Sequence, residues 1–121
     1  MKFVIQGYLP GLNEYTKACR GNAYGANTLK KNTERIIALY ARQARLKPFT
    51  KPVKIKINWY EKNNRRDIDN VVFAKKFILD ALVKMHILID DSRKYVKDII
   101  DHVETDTTNP RIEVEILEVE G

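Results

Sequence analysis

The sequence predicts an α+β fold, a single domain over residues 1–121 with one mixed β-sheet and two main helices packed on it. Three observations predict it. A chain of 121 residues has room for one hydrophobic core and not for two. Apolar residues recur with period two and then with the helical period, in the order strand, helix, strand, helix, strand, strand. Composition, at 44% hydrophobic and 31% charged, suits a packed domain and excludes wholesale disorder.

Residues 2–8 (KFVIQGY) read as the first strand, stopped by the turn chemistry of Pro10-Gly11. Residues 11–28 hold three glycines and little apolar period, so a loop is expected, carrying Lys17 and Arg20 beside Tyr15 and Tyr24. From about residue 28 to 46, Leu29, Ile36, Tyr40 and Ala44, joined by Ile37 and Ala41, repeat at helical spacing. Lys30, Lys31, Arg35, Arg42 and Arg45 make the outer face of that helix basic. After Lys47-Pro48 and Lys51-Pro52, Val53, Ile55, Ile57 and Trp59 alternate with polar residues, which marks a half-buried strand. A second helix is expected over about 69–84, burying Val71, Ala74, Ile78, Ala81 and Leu82. Asp90-Asp91-Ser92 reads as a turn, 94–103 as a strand, 104–110 as a loop and 111–119 as a final strand forming a hairpin with its predecessor.

Charge divides the chain. Residues 1–66 carry fifteen Lys/Arg against three Asp/Glu, a net of +12, whereas residues 67–121 carry seven against thirteen, a net of −6. A basic part suited to phosphates is thus joined to an acidic part suited to divalent cations, although solvated surface produces the same bias. No apolar run approaches the roughly 20 residues of a membrane span, and the first residues read as a strand and not as a leader, so a cytoplasmic location is expected. The single Cys19 has no partner for a disulfide or a zinc site. His86 and His102 have no second ligand at metal spacing and read as structural.

Chemistry gathers at Arg65-Arg66-Asp67-Ile68-Asp69-Asn70. Two carboxylates two residues apart on extended backbone point to one side. Mg²⁺ favours oxygen ligands and needs only one or two protein carboxylates beside a substrate phosphate, so Asp67 and Asp69 suffice for half a site. Asp90 and Asp91, about twenty residues on, are candidates for the other half. The plainer alternative is that Asp67, Asp69 and Asn70 cap a helix and that Asp90-Asp91 is an ordinary turn.

The run RRDIDN, the helix containing Leu79-Asp80-Ala81-Leu82, and the following Leu88-Ile89-Asp90-Asp91 together resemble the signature of the RusA family of Holliday-junction resolvases. The resemblance implies a RusA-like fold and a Mg²⁺-dependent endonuclease, in which Mn²⁺ substitutes, acting as a homodimer on four-way DNA junctions in recombination and repair. It makes Asp67, Asp69 and Asp91 the catalytic, metal-binding aspartates, with Asp90 as their neighbour. The family's catalytic lysine, three residues after the D-N asparagine, falls on apolar Phe73 here; counting back from Asp80-Ala81-Leu82 puts it at Lys76. Lys76 lies seven residues after Asp69, close to two turns at about 3.6 residues each, so both are expected to project from the same face of the helix. Arg65, Arg66, Lys17, Arg20, Lys30 and Lys31 are the expected DNA-phosphate contacts. Two other readings remain open, a catalytically silent DNA-binding module and a metal-dependent nuclease for unbranched DNA.

Overall fold

A computed structural model describes residues 1–120. It contains β1 (Lys2–Gln6), α1 (Leu12–Gly21), α2 (Ala23–Gln43), β2 (Val53–Glu61), α3 (Ile68–Val72), α4 (Lys75–Lys84), β3 (Val96–Thr105) and β4 (Arg111–Glu118). The four strands form one sheet in the order β1-β4-β2-β3. β4 runs antiparallel to both β1 and β2, and β3 runs parallel to β2, so the expected mixed sheet is present. No helix among the described residues is long and apolar enough to cross a membrane.

The alternation read in β2 sets the inside of the sheet. Val53, Ile55, Ile57 and Trp59 are buried together with Phe3 and Ile5 of β1 and Ile112, Val114 and Ile116 of β4. The helices cover this face through Ile37 and Ala41 of α2 and Phe77, Ile78, Ala81 and Leu82 of α4. Each such large side chain contributes on the order of 1.5–3 kcal/mol through burial. Ile36, expected on the buried stripe of α2, is 45% exposed. The stripe instead runs through Thr33, whose hydroxyl turns back to the Leu29 carbonyl at 2.7 Å.

Two expectations are overturned. Residues 11–28 are not a loop but α1 and the start of α2. The Gly11 N–H is taken by the Glu14 carboxylate, and Asn22, extended between the two helices, accepts the Gly25 N–H at 2.7 Å. The glycines therefore mark helix ends. α1 has no buried residues of its own, but Tyr15 packs on Phe73 and Phe77, with centroids 5.4 and 5.8 Å apart. Nor do β3 and β4 form a hairpin: the loop between them arches over the end of β2, with the Asp106 N–H on the Glu61 carbonyl at 2.7 Å, and β4 enters between β2 and β1. The buried set of Ile112, Val114 and Ile116 fits an interior strand. β3, with Lys97, Asp98 and Glu104 exposed, fits an edge.

The segment expected as one helix over 69–84 is interrupted at Phe73–Ala74. There the Lys76 and Phe77 N–H groups bond the carbonyls three residues back, at 3.2 and 3.0 Å, a tighter turn that changes the phase of everything after it. Just past the end of α4, His86 takes a left-handed φ of 60°, and the Ile87 N–H closes on the Leu82 carbonyl at 2.9 Å.

Candidate active site

The period-two burial of β2 continues to Glu61, so the chain buries a carboxylate that must be matched by a cation. Arg66 matches it. Its Nε and Nη2 donate to the two Glu61 oxygens at 2.7 and 2.9 Å, and its Nη1 donates to the Leu9 carbonyl at 3.0 Å. Burial works against the Arg66 charge, but the hydrogen bonds and charge of Glu61, with that of Glu14, outweigh it and raise the pKa above its ordinary value. Next to this pair the buried Asn70 accepts the Asn13 N–H on Oδ1 at 2.9 Å. Gly11 fits so closely beneath it that a Cβ would lie 2.6 Å from Asn70 Oδ1 and 3.1 Å from Arg66 Nη1. Glu61, Arg66, Asn70 and Gly11 thus lock the start of α3 to β2 and to the segment before α1.

This lock presents the two acids. Asp67 is the extended N-cap of α3 and Asp69 lies in its first turn, but the Asp67 side chain makes no cap hydrogen bond. Capping does not account for it. Both carboxylates are exposed, neither is in an ion pair among the described residues, and both line a groove of about 740 Å³ shared with Asn63, Val103 and Glu104. Two hard oxygen donors with no cation set against them fit half of a Mg²⁺ site.

The other candidates lie elsewhere. Asp91 lines a separate pocket of about 250 Å³ with Lys30, Asp80 and Lys84, and Asp90 is exposed beside it. The Asp67–Asp69 groove and the Asp91 pocket have no lining residue in common. Within one chain no three His, Cys, Asp or Glu side chains among the described residues are grouped to hold a metal ion. Lys76 is exposed, with its Nζ 4.0 Å from Asp80 one turn further along α4. Lys75 faces β3 instead, its Nζ 2.5 Å from Asp101 Oδ2, while Asp101 Oδ1 accepts the Trp59 indole N–H at 2.9 Å.

Among the expected phosphate contacts, Arg65, Lys17, Arg20 and Lys31 are exposed, and Lys30 is paired with Asp80 at 3.2 Å. Arg66 is committed to Glu61 and Leu9. His86 is exposed at the end of α4, and His102 stands on the open sheet face 3.2 Å from Glu104. Gly11, Glu61 and the Lys75–Asp101–Trp59 link were not found by sequence reasoning. A signal existed for one of them, the acid continuing the inward alternation of β2.

The family model described as endodeoxyribonuclease RusA matches residues 9–117 of the 121. No curated protein matches the chain. The match takes in all of the lock, the Asp67–Asp69 groove and the Asp91 pocket, and by it the chain belongs to the RusA family of endodeoxyribonucleases.

Proposed function

We propose that the protein is a Mg²⁺-dependent endonuclease that resolves Holliday junctions and related branched DNA as a homodimer, in recombination and repair. The observation that carries this reading is the Asp67–Asp69 pair, held out unpaired over a groove by a buried lock, in a chain of a deoxyribonuclease family. Asp67 and Asp69 would hold the cation, with Mn²⁺ able to substitute. A cation there supplies a more acidic water and neutralises charge on the phosphate. Hydrolysis joins the water oxygen to phosphorus and breaks the bond to the 3′ oxygen, which leaves with a proton as a hydroxyl. The nick carries a 5′-phosphate.

Arg65, exposed two residues before Asp67, would take a neighbouring phosphate, while Arg66 would act through Glu61 on the position of the acids. Lys17 and Arg20 add sequence-independent phosphate contacts from α1. Asp90 and Asp91 join the site from a second copy. β3 is an edge strand that starts near Asp91 and ends at Thr105, beside the Asp67–Asp69 groove. A two-fold partner along that edge runs its own β3 the opposite way, and so brings its Asp91 end, with Lys76 and Asp80, toward the first copy's Asp67 end.

The test is cleavage of a labelled four-way junction, a linear duplex and a single strand in Mg²⁺, Mn²⁺ or chelator. Metal-dependent nicking of the junction, lost in Asp69→Asn, is expected. Junction binding without nicking, unchanged by Asp69→Asn, assigns a silent DNA-binding module instead, and equal cutting of the linear duplex assigns a nuclease for unbranched DNA.

A further inference from the structure

A groove of about 300 Å³ runs between α2 and α4, and its walls carry Lys31, Arg35, Arg42 and Lys84 over a floor that includes Ala38 and Ala81. Lys31, Arg35, Ala38 and Arg42 fall at i, i+4, i+7 and i+11, one stripe along α2. From Lys31 to Arg42 the stripe extends about 16 Å at roughly 1.5 Å per residue. Among the described residues Lys31, Arg35 and Arg42 are in no ion pair, although acidic side chains elsewhere pair with Lys2, Lys30, Lys75 and Arg111. Lys84 alone is matched, with Nζ 2.5 Å from Glu34 Oε1, and the second oxygen of that buried carboxylate has no hydrogen-bond partner. Lys84 also lines the pocket of Asp91, so the groove and that pocket adjoin at this side chain.

Three unpaired cations along one stripe, beside the Lys84–Glu34 pair and over a narrow floor of small side chains, complement a linear polyanion. Phosphates of one DNA strand advance about 3.4 Å each along the duplex axis, so a stripe of this length meets at most about five of them. The open sheet face offers no such line, because Lys54 lies opposite Asp98 and Lys56 opposite Glu115. We infer that the α2–α4 groove is the track for the sugar-phosphate backbone of one duplex arm and leads that strand to Asp91. The inference rests on the nuclease reading above and adds to it the surface that receives the arm.

The experiment measures affinity for a labelled junction against salt concentration, in Ca²⁺ or chelator, for the wild type and two double variants of equal charge change. Arg35→Gln/Arg42→Gln removes the groove cations, and Lys54→Gln/Lys56→Gln removes two from the sheet face. All four residues except Lys54 are exposed and Lys54 is half-buried on the open face, so circular dichroism is expected to report an unchanged fold. Each lost phosphate contact lowers the log–log salt slope by about 0.9, so the groove variant is expected to lose nearly two units of slope, and the sheet-face variant less than about half a unit. Equal losses in the two variants, or an unchanged slope in the groove variant, overturn the groove assignment while leaving the nuclease reading intact. A wild type that neither binds nor nicks the junction overturns both.

Discussion

Arg66 closes a two-toothed fork on Glu61, with Nε to Oε1 at 2.7 Å and Nη2 to Oε2 at 2.9 Å, and so ties the residue before Asp67 to the last residue of β2. The pair is mostly buried, so removing one member strands the other away from water. Arg66→Ala is expected to cost about 2–3 kcal/mol, below the full cost of breaking a wholly buried pair because both side chains keep some exposure. Urea unfolding measures it; a loss under about 0.5 kcal/mol would mean that the fork holds nothing in place.

Gly11 tests the same lock from the other side. A Cβ there meets the Asn70 backbone and its Oδ1, neither of which is the free end of a flexible chain. Gly11→Ala is expected to destabilise by about 1–3 kcal/mol, the usual cost of overpacking. Gly21→Ala, where an added methyl meets nothing within 4 Å, is the matched control and is expected to change stability far less.

The proposed sharing of the site between copies would have a genetic signature. Asp69→Asn and Asp91→Asn are each expected to lower junction nicking at least about 100-fold. Mixed as unfolded chains and refolded together, they are expected to regain about a quarter of wild-type nicking, since half of the dimers are mixed and each mixed dimer holds one intact site of two. No recovery would place all the acids of one site in a single chain.

Acid stability depends on the loop before β4. Asp106 accepts from Arg111 at 2.9 Å and from the Thr108 and Asn109 N–H groups, and its pKa is lowered chiefly by Arg111. Arg111 likewise lowers the pKa of Glu113. A folded-state pKa below the unfolded value adds stability that is fully present above the unfolded value, about 4, and lost as pH falls through the folded one. The melting difference between wild type and Asp106→Asn is therefore expected to be flat from about pH 5 to 8 and to shrink below about pH 4. A difference that changes between pH 6 and 8 would contradict this origin.

What could be read from the amino acids was local and periodic. Val53 to Trp59 announce an inward face by alternation, and RRDIDN announces paired carboxylates, because in each case neighbouring residues carry the whole signal. α1 was hidden because its order depends on Tyr15 reaching Phe73 and Phe77, far along the chain. The pairing of β4 with β1 and β2 was hidden for a similar reason, since a short connection usually returns to the adjacent strand. Lys76 was set on the face of Asp69 by counting through an ideal helix, whereas the chain turns more tightly at Phe73–Ala74, and the exposed Lys76 has its Nζ 4.0 Å from Asp80. The acids of RRDIDN and of Asp90-Asp91 could be named from sequence, but not the separate groove and pocket that Asp67, Asp69 and Asp91 line within one chain.

The insertion of β4 between β1 and β2 sets an order of events during synthesis. β1 has no other neighbour in the sheet, and its register joins Lys2 to Glu115. As the nascent chain emerges, its first strand must wait, unladdered, for nearly the whole remainder to be translated. A chain cut before residue 111 keeps the βαβ half from β2 to β3 but leaves the far edge of β2 with its backbone N–H and C=O groups unpaired, a template for other strands.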